Sequence, residues 1–228
     1  DGKEVRAYPA NATDDVTVEH LYINQVVPLA QSRQGRPSFH ASVVTVHRGA
    51  VAFLGKTGMG KSTLAASFAL EESEFLTDDS LLIEETDAGC LAMPSHASLR
   101  LWSDSVEALV DRRARRAEAI SYSTKARLLA GDGLSHRQEP FPLFAAYLLE
   151  RKGAKEPTIR ALSGTDRHMA WVNNSFLLDI EDRLLLAQHF DWTHRISAAI
   201  PTFALDYPRE YGMLADVRNA VQKRVASI

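Results

Sequence analysis

The stretch Gly55-Lys56-Thr57-Gly58-Met59-Gly60-Lys61-Ser62 constrains this chain more than any other, because it satisfies G-x-x-x-x-G-K-[ST] at every fixed position. A chance match in a chain of this length is on the order of one in a hundred, given Gly at roughly 7% of residues. Its flanks agree with it. Ala50-Val51-Ala52-Phe53-Leu54 before it is short, apolar and β-prone, and Ser62 to Leu70 after it reads as a helix. Strand, glycine loop and helix together form a phosphate cradle. Glycines 55, 58 and 60 let successive backbone N–H groups turn inward, and the helix adds the positive end of its dipole. Thr57, Met59 and Thr63 lie in the same cradle, Lys61 is expected on the outer phosphates, and the Ser62 hydroxyl is expected on Mg²⁺.

A chain of 228 residues that is 45% hydrophobic can bury a full core. The formal charge of −3 gives no general pull toward nucleic acid or an acidic membrane, so neither is expected as a partner. No apolar run approaches the ~18 residues of a membrane helix, and no secretory signal is visible. The single cysteine, Cys90, forms no intramolecular disulfide and is expected buried in a strand, which suits a reducing cytoplasm. The sequence opens on Asp1 rather than Met, so the natural start is expected to have been trimmed or to lie upstream.

Along the chain, Val16 to Ile23 alternates as a half-buried strand, and Gln31 to Ser38 reads as a loop; residues 1–38 are expected as a strand-and-loop extension of the domain formed by 39–228. Phe39 to Val46 reads as a strand joined to the loop-bearing strand by His47-Arg48-Gly49 alone, and so short a connection forces an antiparallel hairpin. Glu74 to Thr77 reads as a strand lying beside the loop-bearing strand, and residues 80–93 as a hairpin. A helix is expected from Ser103-Asp104 to about Ala117, then a loop region over 121–140. Strands at 144–150 and 157–162, helices at 165–172, 174–188 and 191–199, a strand at 202–206 and a helix at 209–226 complete the chain.

Asp78-Asp79 follow that short strand and arrive at the rim where a terminal phosphate would sit. One carboxylate can accept a proton from an attacking hydroxyl while the other holds a metal or a histidine, and His40 is the histidine the hairpin brings close. Arg100 and the cluster Arg112, Arg113, Arg115 and Arg116, with Lys125 and Arg127, either neutralise phosphate, grip an acidic peptide or form a solvated face.

Taken together, His40-Ala41-Ser42-Val43, the hairpin, Gly55 to Ser62, and Thr77-Asp78-Asp79 resemble the catalytic region of the HPr kinase/phosphorylase family. Leu99 to Asp104, Leu148 to Arg151 and Pro201 to Pro208 are similar to a shorter HPr-kinase-like group that includes the kinases of lasso-peptide precursors. The resemblance implies an α/β fold, a mixed sheet of the HPr kinase C-terminal domain or PEP carboxykinase-like type with flanking helices. It implies an ATP- and Mg²⁺-dependent serine kinase acting on a peptide or small protein, such as the C-terminal serine of a lasso-peptide precursor. Asp78 would be the general base, Asp79 and His40 its supporting pair, Asp79 and Ser62 the metal ligands, and Arg100 a further catalytic cation. The order of the two aspartates stays open. The larger family's glutamate-bearing stretch has no counterpart except Glu84 or Glu85, and its second signature has none.

Two other classes remain: a regulatory nucleotide-binding module or simple NTPase, and a small-molecule or carboxykinase-like kinase. Leu162-Ser163-Gly164 echoes a transporter-ATPase signature, but no long apolar strand ending in Asp-Glu lies far downstream. A eukaryotic-type protein kinase is excluded by the lack of H-R-D and D-F-G stretches. A homo-oligomer is left open.

Overall fold

The strand that feeds the glycine loop, Gly49–Leu54, is buried at every residue, so it needs cover on both faces. The computed structural model, which describes residues 4–10, 13–36, 38–71, 73–110, 125–131, 133–177 and 179–228, supplies it. The chain opens with α1 (Asp15–Leu21), a π-helical turn (Tyr22–Val26) and α2 (Val27–Arg33). Strands β1 (Ser38–Phe39), β2 (Ala41–Val46) and β3 (Gly49–Leu54) lead into α3 (Lys61–Ala69). After it come β4 (Phe75–Thr77), β5 (Leu81–Thr86), β6 (Gly89–Met93), β7 (Ser98–Leu101), α4 (Ser103–Leu109) and β8 (Ala126–Leu129). The C-terminal part holds β9 (Phe141–Glu150), β10 (Thr158–Ala161), α5 (Gly164–Val172), α6 (Arg183–Ala199), β11 (Thr202–Asp206) and α7 (Leu214–Val225).

These elements form a mixed α/β fold around a 9-stranded sheet in the order β1-β5-β6-β9-β3-β2-β4. Strand β9 is the branch point. It runs parallel to β3 on one edge, while its other edge carries β6 near its start and β11, followed by β10, near its end. The pleat sorts the β3 side chains between two layers. Val51 and Phe53 face α3 and α7, packing with Leu64, Phe68, Val217 and Val221. Ala50, Ala52 and Leu54 face α5 and α6, packing with Trp171 and Ile196. Each large side chain so enclosed contributes about 1.5–3 kcal/mol.

The hairpin of β2 and β3, the β5–β6 hairpin with Cys90 buried in it, and the late strand at 202–206 agree with the sequence reading. Other expectations are corrected. Residues 16–23 are helical, because the Asp14 carboxylate accepts from the Thr17 backbone N–H at 2.7 Å and from the Thr17 hydroxyl at 2.8 Å. The buried positions in this N-terminal part are Thr17, His20, Pro28 and Ser32, a helical stripe that the apolar alternation hides. Pro28 has no N–H to donate, and the chain widens before it into a π-turn in which the Val27 N–H reaches Tyr22.

Strand β4 pairs with β2, not with the loop-bearing strand, so β2 lies between the two. Helix α4 ends at Leu109, with Val110 extended, and the arginines at 112–116 lie outside the described residues. Within the expected loop at 121–140, Ala126–Leu129 is a strand that pairs with β7. Residues 174–177 and 179–182 are not helical. Asp182 caps α6 by accepting from Leu184 and Leu185, and without Gly or Pro inside, that helix runs unbroken to Ala199. The chain from β9 to β10 does not make a paired hairpin, since β11 inserts between them.

Gly49 gives a direct test of the sheet packing. A Cβ there would lie 2.3 Å from Phe144 Cγ. Gly49→Ala should therefore cost about 1–3 kcal/mol in urea unfolding through overpacking. The double variant with Phe144→Ala should be less destabilised than the sum of the two single variants.

Candidate active site

Two strand breaks face each other at one corner of the sheet. The chain switches from β1 to β2 at His40 and from β4 to β5 at Asp78-Asp79-Ser80, while β1 pairs with β5 and β2 with β4. The hairpin register Ala41↔Leu54 sets His40 beside Gly55, the first residue of the glycine loop. Asp79 makes its switch with φ 71, a left-handed conformation that costs a non-glycine residue on the order of 1–3 kcal/mol and is characteristic of functional sites. Its backbone carbonyl lies 3.0 Å from His40 Nδ1, and its carboxylate lies 3.8 Å from both His40 Nδ1 and Arg100 Nη1. Burial and the nearby Lys61 ammonium push the His40 pKa down, so the imidazole is neutral at pH 7.

The glycine loop is built as a cradle. Gly58 and Gly60 have φ 81 and 87, and Gly60 stands at the N-cap of α3. Lys61 is buried, its Nζ donating to Gly55 O at 2.6 Å. The Gly55 N–H donates to Asn174 Oδ1 at 2.9 Å, and Asn174 O accepts from the His40 N–H at 2.6 Å. One asparagine thus anchors the loop and the histidine together. Behind the loop, Asp78 is buried with both carboxylate oxygens engaged. Oδ1 accepts from Ser62 at 2.9 Å and Ser42 at 2.5 Å, and Oδ2 accepts from the Arg100 backbone N–H at 3.0 Å. Burial, then the Asp79 charge, push its pKa up to about 6.

In front of the loop lies a cleft of about 670 Å³. Thr57, Gly58, Gly60, Lys61, Ser62 and Thr63 form its floor, and His40, Asp79 and Arg100 form its acidic flank. The opposite wall is the N-terminal helical segment, through His20, Asn24, Gln25 and Leu29, together with Phe176. His20 is buried, with Nε2 at 2.8 Å from Arg100 Nη1 and Nδ1 at 2.8 Å from Asn24 Nδ2. Burial, then the Arg100 charge, lower its pKa to about 4.

The structure thus brings Asp78, Asp79, His40, Arg100, Lys61 and Ser62 into one place, with Asp79 facing the cleft and Asp78 behind it. Gly55 and Met59 line a separate groove on the α5 side. Lys125 lines the main cleft, whereas Arg127 bonds His96 and Ser98. Glu84 and Glu85 lie exposed on β5, Glu85 paired with Arg195 of α6, and neither lines the cleft. His20, Asn24 and Asn174 carry no motif, and the sequence reading missed them. The one signal for His20 was Asp14 with Thr17 as a helix start. Among the described residues no group of three His, Cys, Asp or Glu side chains is placed to hold a metal. The donors at hand, the Ser62 hydroxyl and the carboxylate behind it, are hard oxygens of the kind Mg²⁺ takes alongside phosphate oxygens.

No family model matches the chain, and no curated protein does. Among solved structures it is similar to the HPr(Ser) kinase/phosphatase from Coxiella burnetii, at 12% identity and a TM-score of 0.37, over 71% of this chain and 97% of that one. That level of likeness transfers no residue role.

Asp78 and His20 pull stability in opposite directions with pH. The folded state holds the Asp78 proton more tightly than the unfolded state, whose value is 3.8, so its contribution is lost as pH rises from about 4 to about 6. For His20 the unfolded state, at 6.5, takes up a proton that the folded state refuses until about 4, so stability is lost as pH falls through that window. Asp78→Asn removes the first effect and leaves the second. Its melting temperature should climb more steeply between pH 4 and 6.5 than the parent's; equal slopes would show that Asp78 does not titrate there.

Proposed function

We propose that this protein is an ATP- and Mg²⁺-dependent kinase that transfers the γ-phosphoryl group to a serine hydroxyl of a peptide or small protein. The observation that carries the reading is the cleft-facing Asp79 carboxylate, held by His40 and Arg100 beside a glycine-rich cradle with Lys61. A carboxylate aimed at that point can take the proton of a hydroxyl brought up to the loop. The cleft also extends past the loop toward Phe176 and Leu29, which leaves space for an acceptor.

The backbone N–H groups of the loop and Lys61 bind the phosphates and offset their charge. Asp79 is the general base. It takes the proton of the serine hydroxyl as the serine oxygen bonds to the γ-phosphorus, and the bond from that phosphorus to the β–γ bridging oxygen breaks to release ADP. His40 bonds the Asp79 backbone carbonyl and Arg100 lies 3.8 Å from its carboxylate, which keeps the Asp79 side chain in place. Ser62, with the Asp78 carboxylate behind it, would hold Mg²⁺, which supplies charge neutralisation on the phosphate oxygens. The roles of the two aspartates are therefore exchanged relative to the sequence expectation: Asp79 lines the cleft, while both oxygens of Asp78 are engaged behind the loop. A reducing, cytoplasmic setting fits the one thiol, Cys90, buried in β6.

Incubation with γ-labelled ATP, Mg²⁺ and seryl peptides tests the reading, and the resemblance makes a lasso-precursor C-terminus the first acceptor to try. Label is expected on a peptide serine; label appearing only as free phosphate would favour the NTPase class instead. Asp79→Asn should bind ATP as the parent does and lose transfer by about 10²–10⁴-fold, the usual weight of a general base. Lys61→Ala should weaken both binding and transfer. Transfer by Asp79→Asn at the parent rate would remove Asp79 from the mechanism.

A further inference from the structure

The acidic corner lies on one flank of the glycine loop, where the chain ends β4 and begins β2. A triphosphate whose reacting end is delivered to Asp79 must present its other end on the opposite flank, at the ends of β9 and β11. A second cleft, of about 170 Å³, opens there against Gly58, Gly60 and Thr63. A chain of hydroxyls leads into it: Thr63 Oγ1 lies 3.1 Å from Ser105 Oγ, which lies 3.1 Å from Tyr211 Oη.

Arg209 is the unusual group in this cleft. Its guanidinium stacks on the Tyr207 ring with Cζ 3.8 Å from the centroid, and Nη2 donates to Glu150 O at 2.7 Å. Its Nε and Nη1 are buried and, among the described residues, meet no acceptor besides the neighbouring Tyr207 hydroxyl. Nη1 is 4.0 Å from the position a Cβ on Gly60 would take, so the unspent donors lie against the loop itself. Buried cationic donors short of acceptors are costly, and an incoming ribose oxygen relieves that cost. Arg151, whose Nη2 donates to Gly58 O at 3.3 Å, adds a second cation at the same rim. Two large aromatic side chains line the cleft while still open to solvent, Trp102 at 46% and Tyr211 at 37% exposure; Trp102 stands between this cleft and the main one, with the Lys125 ammonium 5.2 Å from its ring centroid. Exposed aromatic faces beside a cation form a stacking platform for a nucleobase.

We propose that this second cleft is the nucleoside subsite: Trp102 and Tyr211 stack the base, and Arg209 donates to the ribose. The inference rests on the phosphate-loop reading and adds the part of the ligand that reading leaves unplaced.

Calorimetric titration of the full chain with MgATP and with magnesium tripolyphosphate separates the two. The parent should bind ATP at least ten-fold more tightly than tripolyphosphate. Trp102→Ala and Arg209→Gln should each weaken ATP about ten-fold, the weight of one base-stacking contact, and leave tripolyphosphate within two-fold. Because Trp102 is half-exposed, its removal opens no core, and Tyr211→Leu gives a second stacking variant. Lys61→Ala should weaken both ligands. Equal effects of Trp102→Ala and Arg209→Gln on the two ligands, or no effect on either, would overturn the subsite while tripolyphosphate binding upholds the loop. A parent that binds neither ligand overturns both.

Discussion

The site depends on one buried carboxylate. Asp78 ties together three elements distant in sequence: Ser42 of β2, Ser62 at the start of α3 and the backbone of Arg100 in β7. Burying a charge is expensive unless hydrogen bonds replace water, and here three donors converge on its two oxygens. Those donors favour the charged form, while burial and Asp79 oppose it, and the balance pushes its pKa up to about 6, above the usual carboxylate range. Fixing Asp78 also fixes its neighbour. With Asp78 turned inward and the backbone in a left-handed turn, the next carboxylate is aimed into the cleft.

The sheet makes that arrangement possible by interrupting two adjacent strands at the same level. A straight β1–β2 strand would carry His40 within a ladder, and a straight β4–β5 strand would do the same to the aspartates. Instead each chain leaves one partner and joins another at that point, so His40 and the two aspartates meet at a corner, with Asp78 turned in and Asp79 toward the cleft. Asn174, arriving from the end of α5, spans the gap between His40 and Gly55 and couples the histidine to the loop. The N-terminal helical segment closes the opposite side. His20 is held neutral against Arg100, which stands between it and Asp79, so the wall and the acidic flank share one cation.

Most of the elements after residue 38 were legible because their signals are local. The Asp182 cap and the π-turn before Pro28 follow from single residues, yet the sequence reading placed a strand over 16–23 because valines alternate there. The helix won through the Asp14 cap and the burial of Thr17 and His20, polar residues whose partners lie far along the chain. Most of the side chains that meet at this corner were named from the sequence, but not which of the two aspartates faces the cleft. Spacing put Asp78 and Asp79 at the rim; it could not say which one turns in.

By itself, the sequence determined where the glycine loop sits between strand and helix, since a strand, three glycines, Lys61 and Ser62 at fixed spacing constrain backbone dihedrals within a dozen residues. It likewise determined the hairpin that delivers the loop, since three residues permit no other connection. Only the tertiary structure decided that β2 separates β4 from β3, that Asp79 rather than Asp78 meets the cleft, and that Asn174 and His20 belong to the site. Those facts rest on contacts spanning 36, 119 and 80 residues, and periodicity carries no information about partners that far away.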